Sequence, residues 1–183
     1  GVTRDVQYRQ AALALLEQLL TKREEELLRA LSSDLHKSNF EGYMTEVGMV
    51  HAELRYVQKH LPQWAKNRRI PTLLSQFPVR SVIMPQPYGS VLIMAPWNYP
   101  LQLCLTPLIG AIAAGNCAVV KPSAYAPATS RALAELIGSA FEPEFIAVVE
   151  GGREQNAALL DQPFDYFFFT GSVAVGKLVM QKA

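Results

Sequence analysis

The sequence predicts an α/β protein, in which a Rossmann-like parallel sheet flanked by helices follows an N-terminal helical arm. From residue 90 onward, short apolar runs alternate with longer segments of helical pattern. This rhythm is typical of parallel strands joined by right-handed helical crossovers. Before residue 66, apolar residues recur instead at spacings of three, four and seven, which is the period of helices that bury one face.

The arm is expected to contain several helices. One apolar face runs through residues 6–31, and the charged run 22–26 interrupts it as a solvated face. Ser32-Ser33-Asp34 predicts a break and supplies a possible cap for the next helix. A further helix is predicted over about residues 43–65, where valines and leucines again keep helical spacing.

Prolines and glycine punctuate residues 67–90, as is typical of turns and loops. Within this stretch, residues 80–84 are predicted to form an extended edge segment. We place the domain boundary here, with residues 1–80 as the helical arm and residues 81–183 as the sheet domain.

The sheet domain divides cleanly into alternating elements. The predicted strands are residues 90–95, 117–121, 145–149 and 165–169, and the predicted helices are residues 100–114, 127–139, 153–160 and 173–182. Pro127 suits the first turn of its helix, and Gly115-Asn116 suits a helix end. The triplet Phe167-Phe168-Phe169 is interpreted as buried strand and not as a binding surface.

Composition excludes several classes of function. The 183 residues carry a net charge of +1 and no basic stripe, so binding to nucleic acid is not expected. No apolar run is long enough to predict a membrane span. Cys104 and Cys117 lie in apolar segments and are interpreted as reduced core thiols of a cytoplasmic protein. The three histidines are scattered, so no metal site is predicted.

Polar residues follow each predicted strand. The four segments are residues 97–98, 121–123, 150–152 and 170–172. A parallel sheet gathers such segments at one edge, where open α/β sheets bind ligands. Gly171 and Ser172 open a helix, whose free N–H groups favour an anion such as pyrophosphate. The usual GxGxxG dinucleotide fingerprint is absent.

Asn98 lies in the sequence Pro96-Trp97-Asn98-Tyr99-Pro100, directly after a predicted strand. Its side-chain amide can donate a hydrogen bond to a developing oxyanion without changing protonation state. The flanking prolines restrict the backbone around it. In the alternative interpretation, Asn98 is a helix N-cap and Trp97 fills the core.

Three motifs together resemble the aldehyde dehydrogenase superfamily. They are Pro-Trp-Asn-x-Pro at residues 96–100, Gly-Asn followed by Lys-Pro-Ser over residues 115–123, and Phe-Thr-Gly-Ser followed by Val-Gly-Lys over residues 169–177. Their order and spacing are similar to those of the superfamily, and the surrounding residues look most like its class 3 branch, which oxidises fatty and aromatic aldehydes. The resemblance covers most of the chain.

The resemblance implies a role for each matching residue. Asn98 would be the catalytic side-chain half of the oxyanion hole, Lys121 would bind the adenosine ribose, and Trp97 and Ser172 would contact phosphate. Thr170 and Gly171 would lie under the nicotinamide, Val175 would wall the adenine, and Ser123, Ala124, Gly152 and Gly176 complete the cofactor set. The implied cofactor is NAD or NADP, the substrate is a small-molecule aldehyde, and the enzyme is a homo-oligomer.

Structural alternatives stay open for several of these residues. Lys121 could be a surface lysine, Ser172 a helix cap and Thr170 the last residue of a strand. Relatives that prefer NAD usually carry glutamate where this chain has Ala124. A carboxylate would repel a 2′-phosphate and alanine does not, so NADP is expected to be accepted.

The nucleophilic cysteine and general-base glutamate of the superfamily lie downstream of Thr-Gly-Ser. Neither Cys104 nor Cys117 matches the nucleophile, so residues 1–183 are expected to be an inactive fragment whose open edges favour self-association. Two alternatives remain, namely part of a related reductase of acyl phosphates or acyl-CoA, and a non-catalytic nucleotide-binding or assembly module.

Overall fold

A computed structural model describes residues 1–183, and it begins with a helical arm. The arm contains α1 (Val6–Lys22), α2 (Glu24–Leu35), α3 (Asn39–Gly42) and α4 (Gly48–Trp64), with a π-helical turn at Tyr43–Val47 between the last two. The helical prediction for the arm is therefore confirmed. Leucines of α1 and α2 with no solvent exposure form much of its core.

A two-stranded antiparallel ribbon follows the arm. It consists of β1 (Arg68–Ile70) and β2 (Ser81–Ile83), with Arg69 opposite Val82. The extended segment predicted at residues 80–84 is β2, whereas β1 was not predicted. The ribbon pairs residues from both sides of position 80, and the domain boundary placed there stays a prediction.

The remaining chain forms the predicted parallel sheet. Its strands are β3 (Ser90–Met94), β4 (Cys117–Lys121), β5 (Ile146–Val148) and β6 (Tyr166–Phe169), and its helices are α5 (Gln102–Ala114), α6 (Pro127–Gly138), α7 (Arg153–Leu160) and α8 (Val173–Lys182). The strand order is β5-β4-β3-β6, with every neighbouring pair parallel. The predicted fold class and all eight elements of this sheet domain are confirmed.

Helices cover both faces of the sheet because the side chains of each strand alternate in direction. On one face, Val91, Ile93 and Val120 pack with α5, α6 and the arm in a continuous cluster of 32 buried residues. On the other face, Leu92 and Met94 pack with Val179 of α8. The arm and the sheet domain thus share one hydrophobic core.

One local prediction for the arm was wrong. The chain breaks between α1 and α2, and α2 runs through the predicted break at residues 32–34 to Leu35. Asp34 does cap a helix, but that helix is α6, whose Ala128 and Thr129 N–H groups donate to the Asp34 carboxylate at 3.0 and 2.7 Å. The helical spacing outweighed the weak break signal because α2 buries its apolar face against α6.

Three further features concern the helix ends, membrane crossing and metal binding. Gly115 ends α5 with a φ of 87°, a left-handed conformation that favours glycine, as the sequence predicted. No helix combines the length and the apolar character that a membrane crossing requires. No group of three or more His, Cys, Asp or Glu side chains is placed to hold a metal ion.

Candidate functional site

The carboxyl ends of β4, β3 and β6 lie side by side at one edge of the sheet. Met94 is in register with Lys121 on one side and with Phe169 on the other. The ladder continues past the strands, because the Ala95 N–H donates to the Lys121 carbonyl at 3.2 Å and the Thr170 N–H to the Met94 carbonyl at 3.0 Å. The three following loops therefore start next to one another.

The direction of chain progression reverses at β3. Successive strands move from β3 to β4 to β5, and the chain then returns to place β6 on the opposite side of β3. The helices switch faces at the same point, with α5 and α6 on one face and α7 and α8 on the other. Open α/β sheets bind their ligands at such a switch point.

A cleft of about 290 Å³ opens at this edge. Five residues predicted to bind cofactor line it, namely Lys121, Ser123, Ala124, Gly152 and Val175. The predicted residues Trp97, Asn98, Thr170, Gly171, Ser172 and Gly176 do not line it, and they lie on the neighbouring loops after β3 and β6 and on α8. The predicted site residues therefore form two groups, one that lines the cleft and one on the loops and helix beside it.

Lys121 is a buried lysine in the wall of this cleft. Its exposed fraction is 3%, so the alternative of a surface lysine is wrong. The ammonium group donates to the Pro122 carbonyl at 2.6 Å, which uses one of its three donors. Burial lowers the pKa of Lys121, while the neighbouring Cys104 and Glu150 oppose this shift. The remaining N–H groups are available to oxygen atoms of a ligand.

Asn156 on α7 is a cleft residue that the sequence reasoning missed. Its side-chain oxygen Oδ1 is buried and accepts no hydrogen bond. Buried polar groups are nearly always paired, so this oxygen suits a ligand that carries a donor, such as a hydroxyl. Asn156 lies in the interior of a helix outside any motif, and no sequence signal marked it.

No Asp or Glu lines the cleft around Ala124, although the Glu150 carboxylate is a neighbour of Lys121. The Ser123 hydroxyl accepts a hydrogen bond from the Tyr125 N–H at 3.2 Å and so shapes the turn after β4. Arg153, the first residue of α7, is exposed and also lines the cleft. The sequence reasoning singled out Ala124 but did not identify Arg153 as its neighbour in the cleft.

The loop after β6 ends in a capped helix. The Ser172 hydroxyl accepts from the Val175 N–H at 3.4 Å, and its carbonyl accepts from the Gly176 N–H at 2.9 Å. The capping role considered for Ser172 is therefore present, and it leaves the hydroxyl able to donate. A Cβ on Gly171 would lie 2.5 Å from Cζ of Phe169, which gives this glycine a steric reason independent of any ligand.

The phenylalanine triplet was expected to be buried, and this was wrong, because Phe167 and Phe169 are only partly buried and Phe168 is exposed. Strand β6 is an edge strand of the sheet, so Phe168 is 39% exposed. Phe169 lines the cleft and packs under Gly171. Hydrophobic runs in parallel sheets indicate burial on both faces, but they do not reveal which strand ends at an edge.

The loop after β3 exposes both Trp97 and Asn98. Trp97 is 54% exposed, so the alternative that it fills the core is wrong. Asn98 does not cap α5, because the N-cap residue is Leu101 and the N–H of that residue donates to the Glu46 carboxylate at 2.8 Å. Only the main-chain carbonyl of Asn98 is paired, with Lys37 at 3.2 Å, and its side-chain amide is free to donate.

The two cysteines are free thiols that differ in exposure. Cys104 is fully buried, and burial raises the pKa of its thiol to about 12. Cys117 is only partly buried on β4, whereas the sequence placed both in the core. A reactive cysteine needs an accessible setting that lowers its pKa, and Cys104 has the opposite setting.

Comparison with known proteins identifies relatives across the whole chain. The model of the aldehyde dehydrogenase family matches residues 3–183. A 4,4'-diaponeurosporen-aldehyde dehydrogenase of Staphylococcus aureus is 45% identical over 181 residues, which are 99% of this chain and 39% of that protein. Human aldehyde dehydrogenase family 3 member B1 is 43% identical over 183 residues, which are all of this chain and 39% of that protein.

A solved structure shares the fold closely. The substrate-bound state of Staphylococcus aureus AldH aligns with a TM-score of 0.97 at 45% identity, over 99% of this chain and 40% of that chain. The chain therefore spans about two fifths of the length of these relatives. The resemblance that the three motifs implied, including its class 3 character, is confirmed at the level of the family.

Proposed function

The chain belongs to the aldehyde dehydrogenase family, and from this premise we propose that it forms the cofactor-binding part of an NAD(P)-dependent enzyme that oxidises an aldehyde to a carboxylic acid. One observation carries the proposal. The buried Lys121 ammonium at the end of β4 and the unpaired Asn98 amide on the loop after β3 lie at the carboxyl ends of adjacent strands, at the switch point of the sheet.

The cleft suits the adenosine end of the dinucleotide. Its volume of about 290 Å³ lies near the lower limit of about 300 Å³ for small-molecule sites, so it holds part of the cofactor. Lys121 would donate to ribose hydroxyls, and the unpaired Asn156 oxygen would accept from one. Val175 would wall the adenine, and Ser123 and Gly152 would border the ribose.

The rest of the dinucleotide would extend along the two neighbouring loops. Ser172 and Trp97 would contact the phosphates, where the first turn of α8 offers free N–H groups and the positive end of its dipole. Thr170 and Gly171 would lie under the nicotinamide, and Gly176, in the first turn of α8, would complete the cofactor-binding set. When bound, the dinucleotide supplies the oxidant of the reaction.

Asn98 would stabilise the charge that develops when a thiolate attacks the aldehyde carbonyl. A neutral amide donates a hydrogen bond without a change of protonation, and one such donor contributes about 10²- to 10³-fold in rate. The buried Cys104, with its raised pKa, is no candidate for the attacking group. We propose that this thiol belongs to sequence outside residues 1–183.

The cleft also favours acceptance of NADP. Ala124 places no carboxylate near the ribose, and the cationic side chains of Lys121 and Arg153 line the same cleft. A 2′-phosphate is attracted by such charges, whereas a carboxylate would repel it.

The ribbon supports a further proposal, that the protein forms a homo-oligomer. The apolar residues Val82 and Ile83 of β2 are exposed, and an exposed apolar strand favours self-association.

The proposed reaction is tested on the full-length protein that carries residues 1–183. Reduction of NAD or NADP is followed with a panel of aldehydes, and cofactor affinity is measured separately by titration. Asn98→Ala is expected to lower kcat by about 10²- to 10³-fold and to leave cofactor affinity unchanged. Asn67→Ala, at another exposed asparagine, is the control and should keep full activity.

Three outcomes would contradict the proposal. They are absence of cofactor binding, cofactor binding without reduction by any aldehyde, and full activity in Asn98→Ala. Oxidation of NAD(P)H that depends on an acyl phosphate or acyl-CoA would favour the related reductase instead.

A further inference from the structure

A buried ion pair of the arm lies against the loop that carries Asn98. Lys37, between α2 and α3, is 8% exposed, and Glu46, in the π-helical turn, has no exposure. Their Nζ and Oε1 atoms are 2.5 Å apart. Removing two charges from water is costly unless further hydrogen bonds compensate. The additional partners of this pair are therefore informative, and all of them lie on one loop.

Lys37 holds the backbone at Asn98. Its Nζ donates a second hydrogen bond to the Asn98 main-chain carbonyl at 3.2 Å. The same ammonium lies 4.3 Å from the centroid of the Tyr99 ring, within the range of a cation–π contact. Lys37 thus contacts two consecutive residues of the loop and leaves the Asn98 side-chain amide free.

Glu46 holds the other end of the same loop. Its Oε2 accepts hydrogen bonds from the N–H groups of Leu101 and Gln102 at 2.8 and 3.2 Å. These N–H groups open α5 and have no acceptor within their own helix. The N-cap residue, Leu101, has a side chain that cannot accept. A carboxylate at the positive end of the helix dipole is also favourable.

Uncommon backbone conformations bring the pair to this place. His36, just before Lys37, has a φ of 58°, which is rare for a residue with a side chain. Glu46 lies within the π-helical turn Tyr43–Val47, and such turns are rare and are frequently found at functional sites. The buried Lys37–Glu46 pair is therefore accompanied by two backbone conformations that are themselves unfavourable.

We propose that Lys37 and Glu46 are positioning residues that fix the loop 96–102 and thereby aim the Asn98 amide. The inference rests on the oxyanion role proposed for Asn98. A donor acts on a developing oxyanion only when its nitrogen is within about 2.7–3.1 Å of that oxygen. A displacement of about 1 Å can lower the rate by about 10²-fold. Holding both ends of the loop limits such displacement.

The test uses the full-length protein that carries residues 1–183. Lys37→Met removes the ammonium group and retains the apolar stem. We expect kcat for aldehyde oxidation to fall by about 10- to 100-fold, while KM and cofactor affinity stay within about twofold. Because this variant leaves Glu46 buried without its cation, its thermal stability is expected to fall as well.

A double variant separates positioning from stability. Lys37→Met with Glu46→Leu replaces the ion pair by an apolar pair, which often preserves or improves folding. We expect its unfolding temperature to recover toward that of the wild type while kcat stays low. The control is Arg23→Met, which removes the ion pairs that Arg23, between α1 and α2, makes with Glu26 of α2 and Glu135 of α6, and it should leave kcat unchanged. Recovery of kcat together with stability would overturn the proposal.

Hydrogen exchange provides a readout that does not depend on aldehyde chemistry. The Leu101 and Gln102 amides donate to Glu46, so their exchange should accelerate by at least about tenfold in the double variant and stay unchanged in Arg23→Met. Unchanged exchange in the double variant would overturn the positioning role. If the wild-type protein oxidises no aldehyde, the proposed function fails, and exchange alone decides whether the pair holds the loop.

Discussion

Replacement of Gly171 by alanine tests how tightly the loop after β6 is held. The added Cβ would lie 2.5 Å from Cζ of Phe169 and 3.2 Å from both of its Cε atoms. Ordinary contacts between carbon atoms are about 3.5–4.0 Å, so the loop or the ring must move by about 1 Å. Overpacking of this kind costs about 1–3 kcal/mol.

The expected result is a lower unfolding temperature and weaker cofactor binding. For a domain of this size each kcal/mol corresponds to about 2–4 °C, so Gly171→Ala should lower the unfolding temperature by about 2–12 °C. The loop also carries Ser172, and a shift of about 1 Å would weaken its proposed phosphate contact by about tenfold. Circular dichroism on heating and cofactor titration measure the two effects.

Two further variants make the result interpretable. A Cβ on Gly152 meets no atom within 4 Å, so Gly152→Ala should change the unfolding temperature little. Phe169→Leu combined with Gly171→Ala should restore cofactor affinity in part, because the smaller side chain makes room for the Cβ. If Gly171→Ala unfolds and binds cofactor as the wild type does, the ring of Phe169 does not constrain this loop, and the steric explanation fails.

Two predictions concern charge. Ala124→Glu should weaken the binding of NADP relative to that of NAD by at least about tenfold, because like charges at about 5 Å repel by about 3 kcal/mol at an effective dielectric constant of about 20. An unchanged ratio of the two dissociation constants would contradict the role of Ala124. Cys104, with a pKa of about 12, should resist iodoacetamide in the folded protein at pH 9 and react on unfolding, as located by mass spectrometry. Because the ordinary pKa of a cysteine thiol is 9.0, the thiol ionises first in the unfolded protein, and the free energy of unfolding should fall as pH rises from about 9 to 12. Rapid labelling of Cys104 in the folded protein would contradict its burial.

The sheet could be predicted because its signals are local. Strands of a parallel sheet appear as continuous apolar runs, and β3 to β6 all show such runs, although β6 lies at the sheet edge and is partly exposed. The positions of Asn98 and Lys121 at one edge then follow from the topology of a parallel sheet. Strand β1 was missed because Arg68-Arg69-Ile70 is short, basic and exposed.

The roles of Asp34, Lys37 and Asn156 could not be predicted, because they depend on contacts between parts of the chain that are distant in sequence. Asp34 reaches α6 across 94 residues, and Lys37 reaches Asn98 across 61. Neither contact produces a regular spacing of residues in the sequence, so a single sequence gives no sign of it. Asn156 is similar, because only the packing of α7 reveals that its oxygen is buried and unpaired.

The cofactor-binding residues and the proposed oxyanion donor of the candidate site are held in place by different contacts. Substitutions should therefore affect cofactor binding and catalysis separately. Lys121 and Thr170 are fixed by main-chain hydrogen bonds of the ladder that continues past β3, and these bonds lie within the sheet. Asn98 lies on a loop whose ends are held by the arm through Lys37 and Glu46. Damage to the arm should therefore impair chemistry before it impairs cofactor binding. The helical arm is thus more than a cover for α5 and α6, since it supplies the polar contacts that set the position of the proposed oxyanion donor.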